Sequence, residues 1–352
     1  MTIPSKYTEN EKMLGLSMVT GIGGETIRSI WSGEGLLLSK LSRNQLSELK
    51  KVDWSRVDDE LELMLRKKVG YITFLDKEYP KALQNITDFP PIIFFKGNLV
   101  ALKQPMISIV GTRKISDYGK QCIRKIAETF VRKGITVVSG MAFGVDAAVH
   151  NCVLENNGST IAVLASGVDV PSPATNTGIY NRIIQNDGLI ISEQILGTVP
   201  IPGFFPLRNR IISGLAKATI IIEAGERSGA LITAYQAFEQ NREVYAVPGD
   251  ITANRSLGTN KIIRKGVAKL LTSAEEVLED LGYVINEEEK KKVKFDSDVE
   301  KDIFHLLSDS KKTIDEIGLA LGLEISEVLR TLTSMELKGM VASVNSKYCI
   351  CL

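Results

Sequence analysis

The sequence has few of the residues that mark disulfide-stapled, metal-binding or membrane-spanning proteins. Among 352 residues there are two histidines and four cysteines, and the cysteines form no CxxC pair. Neither a disulfide framework nor a metal cluster is therefore expected. Apolar runs such as Ala218 to Ile222 fall far short of the roughly 18 residues of a membrane helix, and the first residues lack a secretory signal. We expect a cytoplasmic protein without membrane segment, metal or cofactor.

Net charge is also nearly absent, with 43 Lys and Arg against 42 Asp and Glu. This balance excludes a uniformly basic protein but leaves room for local basic surfaces. Residues 251–271 contain five basic residues and no acid, whereas residues 274–302 are rich in acids. We therefore expect a basic face balanced by an acidic segment, and a basic face suits an anionic polymer.

The composition, with 44% hydrophobic residues, is that of an ordinary globular protein, and the length predicts two or three domains. Residues 1–64 have the pattern of a small helical domain, of the SAM-like or helix-hairpin-helix type. Residues 65–284 alternate strands with helices. Residues 285–295 are a charged linker, and residues 296–352 form a separate small domain.

The strand-like runs of the central part are continuous and β-branched, as in a parallel sheet that is covered on both faces. They begin at Ile92, Ile107, Thr136, Thr160, Leu189, Ala218 and Val244. Amphipathic helical segments lie between them, for instance residues 117–133 with Ser116 as the N-cap. The pattern predicts an α/β fold with a doubly wound, mostly parallel, extended Rossmann-like sheet. Its binding crevice should lie at the carboxyl ends of the strands.

The C-terminal part has the pattern of three helices and a hairpin, which predicts a winged helix. Its third helix offers only Arg330 and Lys338 as cations, against Glu324, Glu327 and Glu336. Contact with duplex DNA and contact with a protein both remain open for this domain.

Glycine-containing turns follow several strands and can present backbone amides to an anion. Val110-Gly-Thr-Arg113 closes one strand, Ser139 to Gly144 closes the next, and Ser228-Gly229 follows a third. Each turn alone also has a purely structural explanation. The GxGxxG and GxxxxGK[ST] fingerprints are absent, which argues against a hydride-transfer enzyme and a P-loop ATPase. Asp146 and His150 share a helix face, where a hydrogen-bonded pair serves structure more often than acid-base chemistry.

The ordered blocks along residues 70–270 resemble the bacterial DNA-processing protein A (DprA/Smf) family. The blocks are Val110-Gly-Thr-Arg113, Ser139 to His150, Thr160 to Leu164 with Gly167 and Asp169, Gly188 to Glu193, Phe205 to Gly214, Ser228 to Ala234, and Ala246 to Gly249 with Ser256, Gly258 and Asn260. The helical first segment and the winged-helix tail also resemble the flanking domains of many members.

The resemblance implies a homodimer that binds single-stranded DNA without turnover, protects incoming strands during natural transformation and helps to load the RecA recombinase. Carried over block by block, it implies DNA contacts from Arg113, Ser139, Gly140, Phe143, Gly144, Arg208, Asn209, Arg210, Ser228, Gly229, Gly258, Asn260 and Lys261. Where many members have a basic residue after the Gly-x-Asp block, this chain has Val170 to Asn176 without a cation. This departure predicts weaker DNA affinity, or affinity supplied by Lys261 and Arg264.

Two alternatives remain from the sequence. The central part is also similar to Rossmann enzymes that cleave nucleoside monophosphates, the phosphoribohydrolase type, but Ile232 and Thr233 stand where the catalytic Glu is needed. The other alternative is a protein-interaction adaptor that does not bind DNA.

Overall fold

The structure is a computed structural model that describes residues 5–19, 22–32, 35–36, 41–50, 54–283, 295–344 and 346–350. The chain divides into two compact units, Met1–Ile285 and Asn286–Leu352. Of the charged linker expected at 285–295, only residue 295 lies within the described residues. Within the described part of the chain, no helix is both long and apolar enough to cross a membrane.

The first unit is built on a nine-stranded sheet in the order β11-β10-β9-β5-β6-β7-β8-β4-β3, with β1 and β2 as a separate hairpin. The strands are β1 (Trp31–Ser32), β2 (Gly35–Leu36), β3 (Gly70–Thr73), β4 (Ile92–Gly97), β5 (Met106–Val110), β6 (Thr136–Ser139), β7 (Thr160–Val163), β8 (Leu189–Ser192), β9 (Ala218–Ile221), β10 (Glu243–Ala246) and β11 (Lys269–Leu270). Within the nine-stranded sheet, β3 pairs antiparallel with β4 and β4 pairs antiparallel with β8, and the other neighbouring strands are parallel. The mostly parallel α/β fold predicted from the sequence is confirmed.

Twelve described α-helices belong to this unit, in the order of the chain. They are α1 (Glu9–Ser17), α2 (Gly24–Ile30), α3 (Arg43–Lys50), α4 (Ser55–Lys67), α5 (Lys81–Gln84), α6 (Asp117–Arg132), α7 (Val145–Glu155), α8 (Thr177–Gln185), α9 (Phe204–Leu215), α10 (Gly229–Glu239), α11 (Leu257–Arg264) and α12 (Ala274–Asp280). As predicted, Ser116 caps α6, because its hydroxyl accepts a hydrogen bond from the amide of Gly119.

The β-branched strands bury side chains on both faces of the sheet, as continuous apolar runs require. Ile109 of β5 packs in a cluster with Ile123 and Phe130 of α6. Its neighbour Val110 packs on the opposite face, in a cluster with Ile212 of α9. Successive strand residues point to opposite faces, so each face receives its own layer of helices.

The order in which the chain adds strands to the sheet reverses at the pair β5 and β9. The chain moves from β5 through β6 and β7 to β8, and then returns by α9 to place β9 on the other side of β5. Because β5 and β9 are parallel, with Val110 opposite Ile221, their carboxyl ends lie side by side. Such a switch point is where open α/β sheets bind their ligands.

The N-terminal helices pack on the sheet. Met13, Leu14 and Val57 belong to the same buried cluster as Phe94 of β4 and Ile190 of β8. The described part of residues 1–64, which we expected to form a domain of its own, therefore contributes to a hydrophobic core shared with the Rossmann-like part.

The second unit consists of α13 (Asp298–Asp309), α14 (Ile314–Leu321), α15 (Ile325–Leu337) and a hairpin of β12 (Val341–Val344) and β13 (Lys347–Ile350). Ile303, Ile317 and Leu332 meet in its core. Thr313 and Glu316 form a reciprocal capping box at the start of α14, and Gly322 ends that helix at φ +65°. The winged helix predicted from the sequence is confirmed.

Candidate nucleic-acid interface

A cavity of about 550 Å³ lies at the switch point between β5 and β9. It collects residues from the loop after β5, the turn after β6, the first turns of α9, and the loop and first turns around the start of α10. The lining residues are Val110–Arg113, Ala142, Asp146, Phe205, Pro206, Arg208, Asn209, Ile212, Gly225, Arg227–Ala230, Ile232 and Thr233. The volume falls in the range of ordinary small-ligand sites.

Arg113 is exposed at this cavity, and its guanidinium lies 5.4 Å from the ring centre of Phe205. The loop that carries it is fixed by the neighbouring strand, because the amide of Thr112 donates to the carbonyl of Glu223 at 2.7 Å. Among the described residues, Arg113 has no carboxylate in an ion pair. Its charge is therefore available to an anionic ligand, and its stacking on an aromatic ring leaves the guanidinium donors free.

A second exposed guanidinium, that of Arg227, lines the cavity from the loop after β9. Arg227 was not among the predicted contacts, although it directly precedes the predicted pair Ser228-Gly229. Ser228 caps α10 by accepting a hydrogen bond from the amide of Ala230, and Gly229 begins the helix. The amino end of an 11-residue helix thus faces the same cavity as two exposed arginines, an arrangement that favours a phosphate or another anion.

Arg208 also lines the cavity, but it is 5% exposed and its donors are engaged within the protein. Nη1 donates to the carbonyl of Gly140 at 2.7 Å and to that of Val163, and Nε donates to Oδ1 of Asn209. Burial lowers the pKa of Arg208 to about 10, so the group stays charged at neutral pH. Its observed role is to join α9 to the ends of β6 and β7.

Arg210 lies elsewhere, although we expected it beside Arg208. It is 8% exposed, pairs with Glu193 and with Asp88 at 3.2 Å, and does not line the cavity. The physical reason is helical geometry, since residues two positions apart lie on different sides of a helix. Of the Arg-Asn-Arg block, only Arg208 and Asn209 therefore line the cavity.

The turn after β6 was predicted to contribute Ser139, Gly140, Phe143 and Gly144, and none of these four residues lines the cavity. Ser139 is fully buried and donates to the carbonyl of Ile109 at 2.7 Å. A Cβ on Gly140 would lie 2.8 Å from the guanidinium carbon of Arg208, and one on Gly144, at φ +76°, would lie 2.3 Å from the carbonyl oxygen of Thr112. Phe143 is 48% exposed outside the lining.

The predicted residues Gly258, Asn260 and Lys261 belong to α11 and connect it to neighbouring loops. The side chain of Asn260 donates to the carbonyl of Gly249 and accepts from its amide, at 2.9 and 3.2 Å. The amide of Gly258 donates to the carbonyl of Ala224 at 2.7 Å. Lys261 pairs with Glu226 at 3.5 Å, and none of these three predicted residues lines the cavity.

The Asp146 and His150 side chains do not form the hydrogen-bonded pair that their spacing allowed. Nδ1 of the fully buried His150 bonds to Oγ1 of Thr160 at 2.8 Å, and burial lowers the pKa of His150 to about 3. Asp146 lines the cavity and accepts a hydrogen bond from the amide of Ala142. Burial raises the pKa of Asp146, and the charge of Arg208 opposes that rise.

Metal-ligating side chains do not gather at this site. In the part of the chain that the structure describes, there is no group of three or more His, Cys, Asp or Glu residues able to hold a metal ion.

Two protein families match the chain. Residues 70–282 match the family described as DNA recombination-mediator protein A, and residues 288–345 match the DprA winged helix domain. Protein Smf of Escherichia coli K12 is 36% identical over 278 residues, which cover 77% of this chain and 74% of that protein. The DNA processing protein DprA of Streptococcus pneumoniae is 41% identical over 211 residues, 60% of this chain and 74% of that protein.

Two solved structures are also similar. DNA processing protein A from Streptococcus pneumoniae superposes with a TM-score of 0.69 at 34% identity, over 81% of this chain and 100% of that chain. A structure concerned with the single-stranded DNA binding mode of DNA processing protein A from Helicobacter pylori gives a TM-score of 0.55 at 30% identity. That match covers 61% of this chain and 97% of the other.

Proposed function

Because this chain belongs to the DNA recombination-mediator protein A family, we propose that it binds single-stranded DNA, without sequence preference, at the cavity of the switch point. The observation that carries the proposal is the placement of two exposed arginines, Arg113 and Arg227, beside the amino end of α10. Phosphate groups are the ligands that such donors bind regardless of base sequence. The similar protein from Helicobacter pylori is described as binding single-stranded DNA.

The residues divide into two roles in this proposal. Arg113, Arg227, Asn209, Ser228 and Gly229 line the cavity and contact the strand. The other predicted residues pack or form hydrogen bonds within the protein and keep the loops in place. They are Ser139, Gly140, Gly144, Arg208, Arg210, Gly258 and Asn260. Phe143 and Lys261 lie outside the lining, and we retain them as contacts for nucleotides beyond it.

We further propose that a homodimer holds the strand, protects it and passes it to the RecA recombinase during DNA uptake. The family description as a recombination mediator supports this step, because a mediator must bind the strand before the recombinase does. Sequence-independent phosphate contacts suit that task, since incoming strands have arbitrary sequence.

We also propose that the protein acts by binding and not by turnover. Ile232 and Thr233 line the cavity at the place where a phosphoribohydrolase needs its glutamate. Among the described lining residues the one carboxylate is Asp146, which is 5% exposed and experiences the charge of Arg208. Incubation with nucleoside monophosphates should release no free base.

The central test is the binding of oligo-dT by the wild type, Arg113→Ala and Arg227→Ala at two salt concentrations. Each variant should bind more weakly, and its slope of log affinity against log salt should fall by about 0.7 for each lost phosphate contact. Arg66→Ala is the matched control, because Arg66 is an exposed arginine on α4, outside the lining. Equal affinity and slope in Arg113→Ala and the wild type would contradict the proposal.

A further inference from the structure

An exposed aromatic ring is fixed at the start of α6, outside the lining of the cavity. Tyr118, in the first turn of α6, is 47% exposed. Its hydroxyl donates to the carbonyl of Pro248 at 2.8 Å, and one ring edge lies beside Gly249. The ring is therefore held in one orientation while about half of the residue surface remains open to solvent.

Two cations adjoin the loops on which this ring is held. Nε of Arg255 donates to the carbonyl of Lys114 at 2.8 Å, and both residues are exposed. The carbonyl of Arg255 accepts a hydrogen bond from the amide of Ala224 at 2.7 Å. The guanidinium thus bridges the loop after β5 and the loop after β10, and its Nη groups have no partner among the described residues.

The carboxylates close to these loops bond to groups other than Lys114 and Arg255. Asp117 pairs with Lys120 at 3.0 Å, and Asp250 accepts hydrogen bonds from the amide and hydroxyl of Thr252. Glu223 is 3% exposed and accepts from the amide and hydroxyl of Ser116. Lys114 and Arg255 are therefore not neutralised by a carboxylate in the described structure.

We propose a second nucleotide subsite outside the cavity, in which Tyr118 stacks one base and Lys114 and Arg255 bind the adjoining phosphates. Lys114 directly follows Arg113 in the loop after β5, so we expect a strand held by Arg113 at the cavity to continue into the subsite. An aromatic surface beside cations is the arrangement by which proteins bind single strands without reading their sequence. The subsite rests on the proposed function, because it extends the path of the same strand.

The subsite also gives Tyr118 a ligand-binding role in addition to its structural one. The hydrogen bond to Pro248 requires the hydroxyl, whereas stacking requires only the ring. Tyr118→Phe keeps the ring and removes the hydrogen bond, and Tyr118→Ala removes both. The pair of variants therefore separates stacking from support of the loop.

The test measures the affinity of the full chain for a short oligo-dT of about four nucleotides and a longer one of about twelve. Tyr118→Ala should weaken binding of the longer oligomer about 5- to 140-fold, the range that corresponds to loss of one stacked base. Tyr118→Phe should retain most of the affinity, and Arg255→Ala should lower the salt slope by about 0.7. Phe238→Ala, at a 52% exposed aromatic late in α10, is the matched control and should bind as the wild type does.

The outcomes distinguish the subsite from the cavity. Arg113→Ala should weaken binding of both oligomers, whereas Tyr118→Ala should affect only the longer one. If the wild type binds both oligomers and Tyr118→Ala binds the longer one equally well, the subsite is refuted and the cavity proposal stands. If Tyr118→Ala loses affinity but Tyr118→Phe loses as much, the ring acts through the loop and the stacking role is wrong. If the wild type binds neither oligomer, both proposals fail.

Discussion

Replacement of Arg208 by methionine should destabilise the fold of the first unit strongly. The variant removes a charged donor from the carbonyls of Gly140 and Val163, and it leaves the buried carboxylate of Asp146 without its nearest cation. Each orphaned buried acceptor costs about 1–3 kcal/mol, and the buried carboxylate of Asp146, which lies beyond ion-pair distance of Arg208, adds a further cost when it loses that charge. Because these effects overlap, we expect a loss of about 5 kcal/mol in the free energy of unfolding.

Urea unfolding followed by tryptophan fluorescence measures this loss directly. Both tryptophans, Trp31 and Trp54, are buried in the first unit, so their emission reports on that unit alone. Arg113→Met is the matched control. Arg113 is exposed, so its replacement should change stability by less than about 0.5 kcal/mol, although we expect it to weaken DNA binding.

The pH dependence of the Arg208→Met variant adds an independent check. Burial already raises the pKa of Asp146, and loss of Arg208 raises it further, so the folded state retains this proton more readily than the unfolded state does. Stability of the variant relative to the wild type should therefore improve as pH falls, once Asp146 becomes protonated and neutral. Asp146→Asn combined with Arg208→Met should recover part of the loss at neutral pH. If Arg208→Met alone has the unfolding midpoint of the wild type but binds DNA more weakly, the reasoning is refuted. Arg208 would then be a direct ligand contact.

Two further predictions concern Gly144 and His150, at the two ends of the first turns of α7. Gly144→Ala should destabilise by about 3 kcal/mol, since φ +76° is strained for alanine and its Cβ would lie 2.3 Å from the Thr112 carbonyl oxygen. Gly178→Ala in α8 has open space and should change the urea midpoint little, and equal midpoints for the two variants would contradict this. For His150, a folded pKa lowered to about 3 means that unfolding takes up a proton below about pH 6.5, so stability should fall as pH drops through that region. The NMR signals of the His150 ring should then show no titration between about pH 5 and 8, and a midpoint near the ordinary value would disprove its burial as a neutral ring.

The seven strands predicted from the sequence are all present, because buried parallel strands require continuous β-branched runs, which are a local property of the sequence. In the nine-stranded sheet, the strands β3 and β11 were not predicted. The first begins at Gly70, where a side chain would collide with Phe95, and the second is only two residues long. Both are edge strands whose pairing depends on neighbours distant in sequence, which a local pattern does not reveal.

The candidate site was predicted less completely than the fold. Turn motifs located the strand ends, so Arg113 and Ser228 were found at the cavity. Arg227 was missed because a single exposed arginine carries no local signal. Arg210 was misplaced because its partners, Glu193 and Asp88, come from distant parts of the chain.

The sequence by itself determined the α/β order, the winged helix and the location of the glycine turns, since these follow from periodicity, capping residues and β-branched runs within short windows. Only the tertiary structure decided which arginines stay exposed at the cavity. Burial and pairing depend on the groups that the fold brings together, and it is this pairing that leaves Arg113 and Arg227 open at the cavity while Arg208 and Arg210 are engaged inside the protein.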